Sequence, residues 1–150
     1  MNTVADELAI RALVARYADA VNRRNEADWA ATWAEDGVWS LGTTGVFEGR
    51  DNIVATWKGA MGSFPFVVQL VHNGHIRIDG ESAVGRWYLE EKLQLGGGAG
   101  MQNIGVYQDT YRKINGDWLF ARREYTVLFN DGGSGTTDGT TATVPEGFNV

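Results

Sequence analysis

The sequence predicts an α+β domain: a cone-shaped, curved, mainly antiparallel sheet, with N-terminal helices, enclosing one apolar pocket. Three observations predict it. Apolar residues at helical spacing fill the first part of the chain. Long runs rich in β-branched and aromatic residues, joined by Asp-Gly and Asn-Gly, fill residues 66–128. Helices come first and strands later, which argues against alternating βαβ units. At 150 residues the chain is long enough for one domain with a real core. We expect that domain over residues 1–130, followed by a Gly/Thr-rich C-terminal tail over 131–150.

Ile10, Leu13, Val14, Tyr17 and Val21 recur at 3.6-residue spacing and form one stripe of a helix expected over residues 5–22. Asn22 to Asn25 is a polar stop. A second short helix is expected from Glu26 to Ala34, and Asp36-Gly37 has turn chemistry. Val38–Leu41 and Val46–Phe47 suggest two short strands. Asp51 is a candidate cap for a third helix, with Ile53, Val54 and Trp57 on one face, ending near Met61-Gly62. Strands follow near 66–78, 83–95, 101–114 and 117–128. Asp79-Gly80 and Asn115-Gly116 between them are strong hairpin signals.

The composition excludes several classes. There are no cysteines, so no disulfide framework, thiolate nucleophile or cysteine-ligated metal is possible. A formal charge of −6 repels phosphate backbones, which argues against nucleic acid as a partner. No apolar run approaches the ~20 residues of a membrane helix, and Met1 to Ile10 has no signal-peptide pattern. We expect no membrane association and a cytoplasmic location.

The candidates for chemistry are few. His72 and His75 are the only histidines. Alternation counted back from Ile76 and Ile78 turns His72 inward and His75 outward, so the two would share a metal only if Asn73-Gly74 formed a bulge. A hydrogen-bonded core histidine and a catalytic one are equally consistent with that position. Glu90-Glu91 sends one carboxylate to each face, and a buried one would have a raised pKa and could act as acid or base; a surface ion pair with Arg86 or Lys92 is the structural alternative. Tyr107, Asp109 and Tyr111 share a strand face. Arg122 and Arg123 point opposite ways, and an inward arginine could pair with Asp109 or bind an oxyanion. Asp19 points toward solvent on the helix. The glycine run 96–100 joins strand to strand and lacks the features of a phosphate loop.

These residues resemble a family. The run from Ile10 through Tyr17 and Asp19 to Asn22, then Trp33 to Trp39 with Asp36-Gly37, is similar to the opening of SnoaL-like proteins of the nuclear-transport-factor-two-like superfamily. So are Phe47-Glu48-Gly49, His72 ahead of Ile76-Arg77-Ile78-Asp79-Gly80, and Tyr107 to Trp118 with Asp109, Tyr111 and Gly116. The branch it most resembles includes scytalone dehydratase, bile acid 7α-dehydratase and hexachlorocyclohexane dehydrochlorinase. The resemblance implies a helix-lined cone, cofactor-free lyase chemistry and a homo-oligomer, a trimer before a dimer. It also implies a pocket histidine held by an aspartate near the end of the first helix. His72 falls at the histidine, Tyr17 at a pocket position, and Asn22 at the aspartate. Neutral Asn22 can orient an imidazole but cannot supply charge, so another acid such as Asp19 or Glu91 would have to take over. Arg123 falls near a pocket arginine of the dehydrochlorinase.

The expected function is therefore a cofactor-independent lyase, dehydratase-like or related acid/base chemistry, in aromatic compound catabolism, on a hydrophobic aromatic or polycyclic molecule. His72, Tyr17 and Asn22 would be catalytic. Tyr107, Trp39, Trp87, Glu91, Arg123 and Asp19 would bind substrate, with no metal and no cofactor. The rival is a non-catalytic ligand binder or an assembly subunit, like the β subunit of ring-hydroxylating dioxygenases.

Overall fold

The computed structural model describes residues 3–133 and 140–148. The expected tail falls partly on residues 134–139 and 149–150, which lie outside the described residues, as do residues 1–2. The helices are α1 (Thr3–Arg23), α2 (Glu26–Ala30) and α3 (Arg50–Ser63). The strands are β1 (Trp33–Ser40), β2 (Val46–Glu48), β3 (Phe66–Asp79), β4 (Ser82–Gln94), β5 (Gly100–Ile114), β6 (Asp117–Asn130) and β7 (Thr140–Thr141). They form one sheet in the order β2-β1-β6-β5-β4-β3, with β7 added to β6.

The four long strands pair antiparallel, as the hairpin signals require. At Asn115-Gly116 both residues have positive φ, 53° and 92°, the pattern of a type I′ turn whose twist suits a hairpin. β1 departs from expectation. It begins at Trp33, cuts the second helix to Glu26–Ala30, and runs parallel to β6. Asp36-Gly37 does not turn the chain; it lies within β1, where the pairing register jumps between Trp33 and Val38. The cap of α3 is also different: Gly49 occupies that position and Asp51 lies in the first turn.

The stripe of α1 is the stripe that is buried: Ile10, Leu13, Val14, Tyr17 and Val21 are all at most 3% exposed. It packs on the concave face with Trp29, Trp33, Trp39, Trp57 and Phe120. Trp29 stacks on Trp57 at 4.7 Å and meets Trp39 at 5.4 Å. Each fully buried large side chain contributes roughly 1.5–3 kcal/mol of transfer free energy. The first turn of α1 is anchored by Asp6, which accepts from Lys113 Nζ at 2.7 Å and Trp118 Nε1 at 2.9 Å. On the convex face, Gln108 donates to the Pro145 carbonyl and Arg86 to that of Phe148.

Candidate functional site

Register across the sheet sorts the concave side chains into rows. Val67, Leu93 and Met101 form the row at one end. The next row is polar on four strands: Gln69, Glu91, Asn103 and Asn130. Then come Val71, Leu89, Gly105 and Val127, followed by Gly74, Trp87, Tyr107 and Tyr125. Further in lie Ile76, Gly85, Asp109, Arg123 and Trp39.

This arrangement corrects the placement of His72. Val71 pairs with Leu89 and Gly74 with Trp87, so His72 and Asn73 together oppose one residue of β4. That bulge reverses the alternation: 67, 69 and 71 face the interior before it, and 74, 76 and 78 after it. Counting back from Ile76 therefore gives the wrong face. His72 points outward, its side chain is 50% exposed, and its Nε2 lies 2.6 Å from Glu90. The bulge has a steric reason. A Cβ on residue 74 would lie 2.0 Å from the Trp87 ring, so only glycine lets that indole lie across β3.

Asn22 engages Gln69. Its Nδ2 donates to the Gln69 carbonyl at 2.9 Å, and its Oδ1 accepts from the Gln69 amide at 2.7 Å. β3 is an edge strand, so Asn22 acts as a one-residue pairing partner for its open backbone. An amide satisfies both groups; a carboxylate would have no hydrogen for the carbonyl. Asp19, expected to bind substrate, is 61% exposed and pairs with Arg23 at 2.8 Å.

The remaining candidates meet inside, in two clusters. In the inner one, Arg123 grips Asp109 with two hydrogen bonds of 2.9 Å. Tyr111 donates to Asp109 at 2.7 Å, and Trp87 Nε1 donates to Tyr111 at 2.8 Å. The guanidinium carbon lies 4.3 Å from the centroid of Tyr17, 3.7 Å from Tyr107 and 4.1 Å from Phe120. Burial works against the Arg123 charge, but Asp109 more than offsets it, so the guanidinium stays cationic. Trp39 packs beside this cluster, against Trp29 and Trp33.

The outer cluster holds Gln69, Glu91, Tyr107 and Tyr125. Gln69 Nε2 donates to Glu91 at 3.3 Å and to the Tyr107 hydroxyl at 3.1 Å. Tyr125 donates to the other oxygen of Glu91 in a short hydrogen bond. The ring of Tyr125 reaches Glu91 across β5 because residue 105 is glycine; a Cβ there would lie 2.2 Å from it. Burial pushes the Glu91 carboxyl above the usual range, partly countered by hydrogen bonds from Tyr125 and Gln69. Burial also raises the Tyr125 and Tyr107 phenols, Glu91 adding to the effect on both. Gln69 Oε1 is buried and has no hydrogen-bond partner among the described residues.

Gln69 and Tyr125 were not singled out from sequence. Gln69 sits in phase with Val67 and Val71, but the bulge hides that phase from anyone counting from the hairpin end. Tyr125 follows Arg123 by two residues on one face, and that signal was available.

Comparison with known proteins bears on the family and the fold. The profile of the SnoaL-like domain family matches residues 2–124. The γ-hexachlorocyclohexane dehydrochlorinase of Sphingobium indicum is 24% identical over 128 residues, covering 82% of this chain and 81% of the relative. An uncharacterised Mycobacterium tuberculosis protein is 24% identical over 131 residues, covering 84% and 88%. Among solved structures, a type 2 hexachlorocyclohexane dehydrochlorinase superimposes with a TM-score of 0.82 at 18% identity, covering 97% of both chains. A scytalone dehydratase-like protein of Novosphingobium aromaticivorans gives 0.81 at 22% identity, covering 97% of this chain and 95% of the other. At these identities the structural likeness establishes the cone fold.

Proposed function

Because the chain belongs to the SnoaL-like family, we propose that it is a cofactor-independent lyase that eliminates a small group from a hydrophobic, aromatic or polycyclic molecule held on the concave face. The observation that carries this reading is the outer cluster: a buried carboxyl, two phenols and an amide joined by hydrogen bonds inside an aromatic shell. A carboxyl with a raised pKa is suited to moving protons near neutrality, and phenols can stabilise charge developing on oxygen. The dehydrochlorinase and scytalone dehydratase-like relatives support elimination as the reaction class.

The test is direct. Purified protein is incubated with γ-hexachlorocyclohexane and with cyclic β-hydroxy ketones fused to an aromatic ring. Chloride release and loss of water are followed by ion chromatography and mass spectrometry. Turnover of either class supports the reading; binding of both without turnover rejects it.

One observation favours a second reading, a non-catalytic binder or assembly subunit. His72 lies on the outer face and Asn22 is committed to the Gln69 backbone, so the histidine pair suggested by resemblance is not assembled. Tight binding of the same molecules with no product would favour this alternative. The proposal also includes a homo-oligomer, a trimer before a dimer. Phe66, Leu70 and Ile104 on the convex face are 52%, 51% and 37% exposed, leaving apolar area for a second copy. Light scattering at micromolar concentration tests it.

A further inference from the structure

We infer that Glu91 and Tyr125 are the catalytic pair of this site, Glu91 taking a proton from carbon and Tyr125 giving one to a departing hydroxyl. The inference rests on the lyase reading and names the groups and the leaving group it requires.

Three observations converge on it. The pair is the direct contact between a carboxylate and a phenol on the concave face at the polar row, and it is backed by Gln69 on the other carboxylate oxygen. The fold gives up a side chain at residue 105 so that Tyr125 can lie across β5 and make the contact. The polar row stands one row in from the sheet's end, with Glu91 8% exposed and Tyr125 more accessible.

The proton cycle closes within the pair. The Glu91 carboxylate removes a hydrogen from the carbon next to the one bearing the hydroxyl. The C–H electron pair becomes the new C=C bond. The C–O bond breaks with its electrons going to oxygen, and the Tyr125 phenol protonates that oxygen to give water. Glu91, now neutral, returns its proton to the phenolate through their hydrogen bond. The net change is loss of water, with both side chains restored and no oxidant or reductant consumed. The order of events follows from electrostatics. While Glu91 is anionic it holds the phenol's proton in place; once Glu91 is neutral that restraint disappears and Tyr125 becomes a better acid.

Gln69 Oε1 narrows the substrate. It is a buried acceptor without a partner among the described residues, and such an atom calls for a donor. A departing hydroxyl carries its own hydrogen and can supply one. A halide cannot. The inference therefore takes alcohols rather than halides as substrates, most simply ring alcohols next to an activated C–H.

The experiment has one arm with substrate and one without. In the first, turnover of the fused β-hydroxy ketones is compared for wild type, Glu91→Gln and Tyr125→Phe. Each variant should lose roughly 10²–10⁴-fold in kcat, the range for a positioned acid or base. Glu91→Asp should retain part of the activity with a displaced pH limb. Activity within about threefold of wild type in Glu91→Gln overturns the inference and leaves the lyase reading standing. Faster turnover of γ-hexachlorocyclohexane than of every alcohol overturns the choice of leaving group. In the second arm, carboxyl-labelled glutamates are titrated by NMR. Glu91 should titrate above the exposed glutamates and move higher still in Tyr125→Phe, because the phenol's hydrogen bond stabilises the carboxylate. An ordinary titration, unmoved by Tyr125→Phe, overturns the pair even if the protein proves active. A displaced titration in a protein inert to all probes shows the contact without the chemistry, and it rejects the lyase reading and the catalytic assignment with it.

Discussion

Two polar clusters share the concave face, and they are built on different terms. At the Asp109–Arg123 cluster the ion pair is two-pronged, the charges cancel, and aromatic rings close over the guanidinium, although Arg123 Nη1 is buried without a hydrogen-bond partner among the described residues. At the Gln69–Glu91 cluster the carboxylate has no cation beside it among the described residues, one amide is shared between two acceptors, and one acceptor is left over. Both are buried, so burial alone does not separate structure from chemistry. What separates them is compensation. Burial pushes the Asp109 carboxyl up as well, but there the Arg123 cation and its hydrogen bonds oppose the shift. The uncompensated cluster keeps a proton within reach of two states, which is what acid–base work needs.

The largest expected effect falls on the compensated cluster. Replacing Arg123 with Met removes the cation and leaves Asp109 buried without its partner. Breaking a buried pair from one side costs about 3–5 kcal/mol, so the urea midpoint should fall steeply. A loss below about 1 kcal/mol in the same measurement would mean that Asp109 is neutral in the fold and that the two clusters are not so different.

Gly74→Ala should rank second. The added methyl would sit where the Trp87 ring now lies, and Trp87 is the outer link of the chain through Tyr111 to Asp109. Overpacking of this kind costs about 1–3 kcal/mol. Near-UV circular dichroism should report the moved indole, and unfolding the cost.

Glu91→Gln should act with the opposite sign. The folded-state pKa of Glu91 is raised, so the fold holds its proton more tightly than the unfolded chain does. The stability that this provides is fully present below the unfolded value, near 4.3. It is lost as pH rises through the folded value. Glutamine cannot ionise and escapes that loss. The variant should match wild type at acid pH and exceed it near neutrality, by an amount of the order of 1 kcal/mol. Equal urea midpoints at every pH would show that the Glu91 charge costs nothing and would weaken the contrast between the clusters.

Most of the fold could be read from sequence because its signals are local. The α1 stripe, the Asn-Gly and Asp-Gly turns and the long alternating runs each specify their own segment. The pairing of β1 with β6 could not be read, because parallel neighbours distant in the chain leave no turn between them to mark the pair. The site was legible in part. Tyr17 is buried as its helical stripe suggests; Tyr107, Trp87, Arg123 and Glu91 also face inward, but alternation left open which of Glu90 and Glu91, and which of Arg122 and Arg123, would do so. Gln69 was missed and His72 misplaced for one shared reason. A strand pattern carries its phase only as far as the next bulge, and the glycine that permits this bulge also looks like any other strand glycine.

The smallest expected effect therefore tests the most. His72→Gln changes a half-exposed side chain whose partner Glu90 is also on the convex face, and surface pairs of this kind are worth about 0–1 kcal/mol. Stability should hardly change, and turnover of any substrate found should stay within a few-fold of wild type. In the same assay Glu91→Gln should be severely impaired, although the two residues lie on neighbouring strands. A large loss on His72→Gln with the fold intact would place the chemistry on the outer face or at an interface between copies, where His72 and Glu90 could act together. The concave cluster would then be a second structural element, and the contrast drawn between the two clusters would fail. The pair of variants decides this because a bulge of one residue is all that puts Gln69, and not His72, on the inside.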